Sequence, residues 1–158
     1  RTSLPAPDDS NSGNTPAQQL LREYSDLLRE NDNQIRRLEK LTTLPEPTSS
    51  QQARIVELED EIKASITLER EKGAAVEALV NELSKAEYRA ILRMRYFDLL
   101  EWWDVIFALY GDDADYTKNK PQHQLRVFRH HSEAMKELDL LLARRAEAGR
   151  SAGKGSAS

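Results

Sequence analysis

The chain has 158 residues, 39% apolar and 32% charged, with a formal charge of −4 and no cysteine. That length holds one small domain with an elongated appendage, and the polarity is too high for a single thick core but suits long amphipathic helices. Disulfides and thiolate metal sites are excluded, and no apolar run approaches the ~18–20 residues that cross a bilayer, so the expected location is the cytoplasm.

In chain order, residues 1–15 are rich in Ser, Pro, Asn, Asp and Gly and are expected to be disordered, because they have too little apolar surface to offset ordering entropy. Thr15-Pro16-Ala17-Gln18 then offers an N-cap hydroxyl, a proline at the first helical position and a capping-box glutamine. Leu21, Tyr24, Leu28, Asn31, Ile35 and Leu38 follow at alternating spacings of three and four, as in a coiled coil. Asn31 on that stripe is either a buried polar residue that sets register or an asparagine at its wet edge. Leu44-Pro45-Glu46-Pro47 ends the helix, since two prolines cannot continue it.

A second helix is expected from a capping box at Ser49-Ser50-Gln51-Gln52. Its stripes are Ile55, Leu58, Ile62 and Ile66, then Val76, Leu79, Val80 and Leu83, and Gly73 marks a candidate kink between them. Two long helices joined by a short proline-rich loop read as an antiparallel hairpin. Its apolar positions exceed what one narrow seam hides, which predicts a homo-oligomer through residues 17–83. Arg36 and Arg37 have nearby acids and read as part of a solvated, ion-paired face.

The last third differs. Both tryptophans, all three phenylalanines and four of the five tyrosines lie between Tyr88 and Phe128, where a globular core belongs. A capping box at Ser84-Lys85-Ala86-Glu87 predicts a helix to about Phe97. Asp98-Leu99-Leu100-Glu101 predicts another to about Tyr110, ended by Gly111 as C-cap. Asn119-Lys120-Pro121-Gln122 opens a final helix to about Arg145, with Leu125, Phe128, Met135, Leu138, Leu141 and Leu142 on its apolar face. Residues 147–158 are expected to be a disordered tail. The predicted fold class is all-α: hairpin 16–83, then a three-helix unit 84–146.

The run Tyr88 to Phe97, then Leu99 to Trp103, then Asp104-Val105-Ile106-Phe107-Ala108-Leu109-Tyr110-Gly111 resembles the first half of a sigma-factor region-four helix-turn-helix. Val127 to Leu138, with Arg129, His130, Ala134 and Leu138, is similar to the ending of phage transcriptional regulators of the ArpU and RinA type. The motif resemblance covers roughly residues 84–142, and 17–83 by architecture alone. It implies a phage or prophage DNA-binding transcriptional regulator in the cytoplasm of the bacterial host cell, with double-stranded DNA as partner and RNA polymerase or another host protein as a second. The alternatives are a phage protein-binding module that inhibits a host protein, and a small terminase subunit. The nine-residue link from Gly111 to Asn119 is longer than the three or four residues of a compact helix-turn-helix, and it carries Asp112, Asp113 and Asp115.

Charge is segregated. Tyr116 to Ser132 holds Lys118, Lys120, Arg126 and Arg129 and no acid. The final helix starts with a positive dipole end. Gln122, His123, Arg126, Arg129 and His130 occupy its first turns, and these side-chain types can reach base edges in a major groove. Lys118 and Lys120 precede them as candidates for flanking phosphates. The competing reading is the solvated face of an ordinary helix. Trp102, Trp103 and Phe107 are bulkier than the motif needs, and one of them is a candidate for an exposed partner contact. No metal is expected, since His130 and His131 point to different helix faces and the aspartate cluster lacks the rest of a calcium loop. No phosphate loop, nucleophile elbow or carboxylate pair points to an enzyme or a cofactor.

Overall fold

Helix α1 (Pro16–Thr42) begins where Thr15 Oγ1 accepts from the Gln18 N–H, with Pro16 in the first turn. Helix α2 (Ser49–Asn81) follows after the Pro45/Pro47 break. The structure, a computed structural model, describes residues 15–156, with side chains through Ser151; the expectations for residues 1–14 and 157–158 lie outside it. The chain is all-α among the described residues, with α1 and α2 as an antiparallel hairpin. No helix among those residues is long and apolar enough to cross a membrane.

The cap of α2 sits one residue earlier than expected. Thr48, not Ser49, accepts from the Gln51 N–H, while the Gln51 side chain accepts from the Thr48 N–H. Leu58, Ile62, Val76, Leu79 and Val80 of α2 are buried, as are Ala17 and Leu21 of α1. Asn31 is buried rather than wet. Its amide donates to Glu69 Oε1 at 2.9 Å and more weakly to the Ser65 carbonyl at 3.4 Å, and Ser65 Oγ donates to Asn31 Oδ1. These bonds tie α1 to α2 at mid-hairpin. Lys72 pairs with Glu23 across the hairpin at 3.2 Å, and Arg36 pairs with Asp32 at 2.8 Å.

Helix α2 runs through Gly73 without a break. Gly73 lies under the tyrosine of the opposite helix: a Cβ there would stand 2.7 Å from Tyr24 Oη and 3.2 Å from two ring carbons. The glycine serves a close approach. Tyr24 is in turn held edge-on to Phe97, ring centroids 5.4 Å apart.

Helix α3 (Ala86–Leu92) has Lys85 at its N-cap with no side-chain cap bond. The expected Ser84 capping box does not form, because Ser84 N–H and Oγ–H both donate to the Glu137 carboxylate, at 2.7 and 2.8 Å. Helix α3 runs into a π-helical turn, Arg93–Phe97, closed by Asp98 N–H to the Arg93 carbonyl at 2.9 Å. Leu99 then takes the left-handed conformation (φ 59°), which costs an L-residue roughly 1–2 kcal/mol. Two bonds hold that corner: Leu100 N–H to the Met94 carbonyl and Arg95 to the Leu100 carbonyl, both 2.9 Å. The next helix, α4 (Trp102–Tyr110), therefore starts four residues later than expected. Gly111 keeps a right-handed φ of −61°, so it is no left-handed cap; a Cβ there would stand 2.6 Å from the Phe107 ring.

Helix α5 (Lys120–Ser156) extends well past Arg145, through most of the segment expected to be a disordered tail. Its inward face also differs. Gln124, Val127, His131, Ala134 and Leu138 are buried, whereas Leu125 is 49% exposed. Those five residues alternate by three and four, the spacing of one helical face, and Leu125 lies on the opposite side.

Two clusters make the core. Ala17, Leu21, Val76, Leu79, Val80 and Leu83 of the hairpin's open end pack with Tyr88, Leu92, Tyr96, Ala134 and Leu138. Ile91, Trp102, Val105, Ile106 and Val127 form the second cluster, joined by Phe128 and Leu109. The first cluster runs straight through residue 83, so hairpin and three-helix unit share apolar burial. Two bonds reinforce that seam: Ala17 N–H donates to Asp139 Oδ1 at 2.8 Å, and Ser25 Oγ is 2.8 Å from the Tyr96 carbonyl.

Candidate nucleic-acid interface

The site grows from the turns between α4 and α5. Asp113 N–H bonds the Tyr110 carbonyl, Tyr116 N–H the Asp113 carbonyl, and Asn119 N–H the Asp115 carbonyl, at 2.9–3.1 Å. This folds the nine-residue link into consecutive turns that deliver Lys118 and Lys120 to the start of α5. Both lysines are exposed, and Lys120 Nζ lies 5.5 Å from the Tyr116 ring centroid.

The first turns of α5 split the seven candidate residues into two groups. Gln122, Arg126 and Arg129 are exposed and share the face opposite the buried Gln124/Val127/His131 stripe. The Arg126 guanidinium lies 5.7 Å from the Tyr110 ring centroid, which restricts it without covering it. No ion pair among the described residues engages Lys118, Lys120, Arg126 or Arg129. Their charge is available to a ligand.

His123 and His130 point elsewhere. The His123 ring is stacked on Tyr110 (4.5 Å, 10°) and beside Tyr116 (5.9 Å, 13°), with its Nε2 4.0 Å from Asp113 Oδ2. It is a packing element that pins the link onto α5. The ring of His130 meets Tyr88 edge-on at 5.7 Å, and its Nδ1 is buried without a hydrogen-bond partner. His130 lies one helical turn from Arg126, and His123 three residues before it, but both rings are engaged by tyrosines rather than free to reach outward. The third histidine, His131, is buried, 2.8 Å from Tyr96 Oη and edge-on to Trp102. The described residues contain no group of three or more His, Cys, Asp or Glu that could hold a metal ion.

Sequence reasoning placed Leu125 in the core and so missed it as a surface residue. It stands between Gln122 and Arg129 on the outward face, where an apolar side chain can meet a thymine methyl. The sequence signal was the spacing of Gln124, Val127, His131, Ala134 and Leu138, obscured because two of those five are polar.

Residues 52–127 are similar to a family described as a protein of unknown function, DUF1492. The matched segment runs from the first turn of α2 through α3 and α4 to Val127 in α5. It crosses residue 83, as the first core cluster does, and includes Lys118, Lys120, Gln122, His123 and Arg126, but not Arg129 or His130. No curated protein and no solved structure matches.

Proposed function

We propose that the chain is a phage or prophage transcriptional regulator that binds double-stranded DNA through the N-terminal half of α5, with α4 and α5 acting as a sigma-region-four-like helix-turn-helix. One observation carries this reading. Gln122, Arg126 and Arg129 project from one exposed face, Lys118 and Lys120 stand at its start, and no carboxylate among the described residues neutralises any of these cations. Arginine and glutamine hydrogen-bond base edges, and lysines ahead of the helix suit the flanking phosphates. Asp113, the acid whose contact is defined, faces the His123 flank rather than that surface. The hairpin serves assembly: Val56 and Leu68 of α2 are more than half exposed, and Ile35, Leu38, Ile55 and Ile66 remain partly exposed along its length.

An electrophoretic shift against fragments of the source genome, at stated salt, tests the reading. Four cations on phosphates and bases give log K a slope against log[salt] of up to about −3.6. Arg126→Ala weakens specific binding by about 1–3 kcal/mol, as for one lost base contact. Lys118→Ala instead weakens all sequences alike and reduces the slope by about 0.9. Neither side chain is in the core, so thermal unfolding stays unchanged. Binding that survives Arg126→Ala with Arg129→Ala removes α5 as the reader.

A further inference from the structure

The outer face of α4 carries a surface of opposite character to α5. Trp102, Val105 and Ile106 point inward and are buried, whereas Trp103 is 49% and Phe107 59% exposed. These two aromatics are four apart and so stand one above the other, flanked on the same side by exposed Asp104 and Ala108. From Asp98 to Asp115 the chain holds six acids, Asp98, Glu101, Asp104, Asp112, Asp113 and Asp115, and no lysine or arginine. All six are exposed. The surface is shaped: Phe107 rests edge-on against Tyr116, centroids 5.5 Å apart, and Gly111 lets its ring lie close over the end of the helix.

We propose that this ridge docks a basic segment of another protein, whose apolar anchors pack against Trp103 and Phe107 while its lysines or arginines meet the surrounding carboxylates. Exposed aromatics are the residue types that dominate protein interfaces, and complementary charge around them sets partner choice and association rate. DNA is excluded as occupant, because six carboxylates repel phosphate. A second copy of the chain would have to offer a different, basic surface, such as its arginine-bearing α5 face. That contact joins two different surfaces, leaves one of each unpaired and propagates into filaments unless a ring closes. A separate basic partner satisfies the ridge and leaves α5 uncovered. This assignment is independent of DNA binding, since it uses none of the α5 residues.

The test is selection from a random peptide display library on the immobilised full chain, with Phe107→Ser and Asp104→Lys as parallel targets. Both substituted side chains are exposed, and circular dichroism melts check that each variant folds. The expected peptides combine lysine or arginine with apolar anchors. The best of them, synthesised, binds at least tenfold more weakly to each variant and equally to Arg126→Ala with Arg129→Ala. It also shifts tryptophan emission to the blue, a shift lost in Trp103→Phe because Trp102 is already buried. Enrichment of neutral or acidic peptides, equal binding to the variants, or no enrichment overturns the proposal. So does self-association of the wild type that Phe107→Ser abolishes, which makes the occupant a second copy.

Discussion

Replacing Gly73 by alanine sets two physical terms against each other. Inside an exposed helix, Gly→Ala gains about 1 kcal/mol because glycine loses more backbone entropy on folding. Gly73 is not exposed in that sense: the added Cβ falls 2.7 Å from Tyr24 Oη and 3.2 Å from Cε1 and Cζ. Tyr24 cannot simply swing aside, since its ring is held edge-on to Phe97. Forcing a methyl into packed space costs about 1–3 kcal/mol. The expected net effect is destabilisation of about 0–2 kcal/mol, or up to several degrees in Tm at roughly 2–4 °C per kcal/mol for a chain of this size. Urea unfolding followed by circular dichroism measures it. In a Tyr24→Ala background the clash is gone and the same Gly73→Ala change should stabilise by about 1 kcal/mol, so the double-mutant cycle yields a coupling of about 1–3 kcal/mol. Stabilisation by Gly73→Ala in the unaltered chain, or a coupling near zero, refutes the close approach and returns Gly73 to the role of a weak point in the helix.

The facing of α5 has its own test: Leu138 is fully buried and Leu125 is 49% exposed, so Leu138→Ala costs about 2–5 kcal/mol in chemical denaturation and Leu125→Ala less than about 0.5. Burial, helped by Glu69 and Glu77, raises the Tyr24 hydroxyl above its ordinary pKa, and burial with the Glu133 hydrogen bond does the same for Tyr88. Both groups hold their protons more tightly folded than unfolded, so their stabilisation is complete below pH 10 and is lost as pH rises through the raised values. The drop in urea midpoint between about pH 8 and about pH 11 is therefore smaller in Tyr24→Phe with Tyr88→Phe. Light scattering at high concentration should give a mass at least twice the 18.0 kDa of one chain; a mass of one chain ends the assembly role of the hairpin.

The hairpin was legible because its determinants are local. Thr15 and Pro16 set a start, Pro45 and Pro47 force a break, and apolar residues at spacings of three and four align into stripes whatever the rest of the chain does. The aromatic-rich last third announced a core for the same reason, and charge segregation marks Arg126 and Arg129 as candidates from sequence alone. Tertiary structure decided which competitor wins wherever a residue had two uses. Ser84 could cap α3, but Glu137 reaches it from α5 and takes both of its donors. Gly73 could bend a helix, but the Tyr24 ring needs its missing side chain. His123 and His130 could face a groove, but Tyr110, Tyr116 and Tyr88 offer ring contacts on the flank. Leu125 looked like core by hydrophobicity alone. The turn of α5 about its axis is instead set by Val127, Ala134 and Leu138, together with His131, whose ring meets Tyr96 Oη inside the protein. That rotation places an apolar side chain among the arginines, and no local rule fixes it, because it depends on which residues α3 and α4 present to the helix.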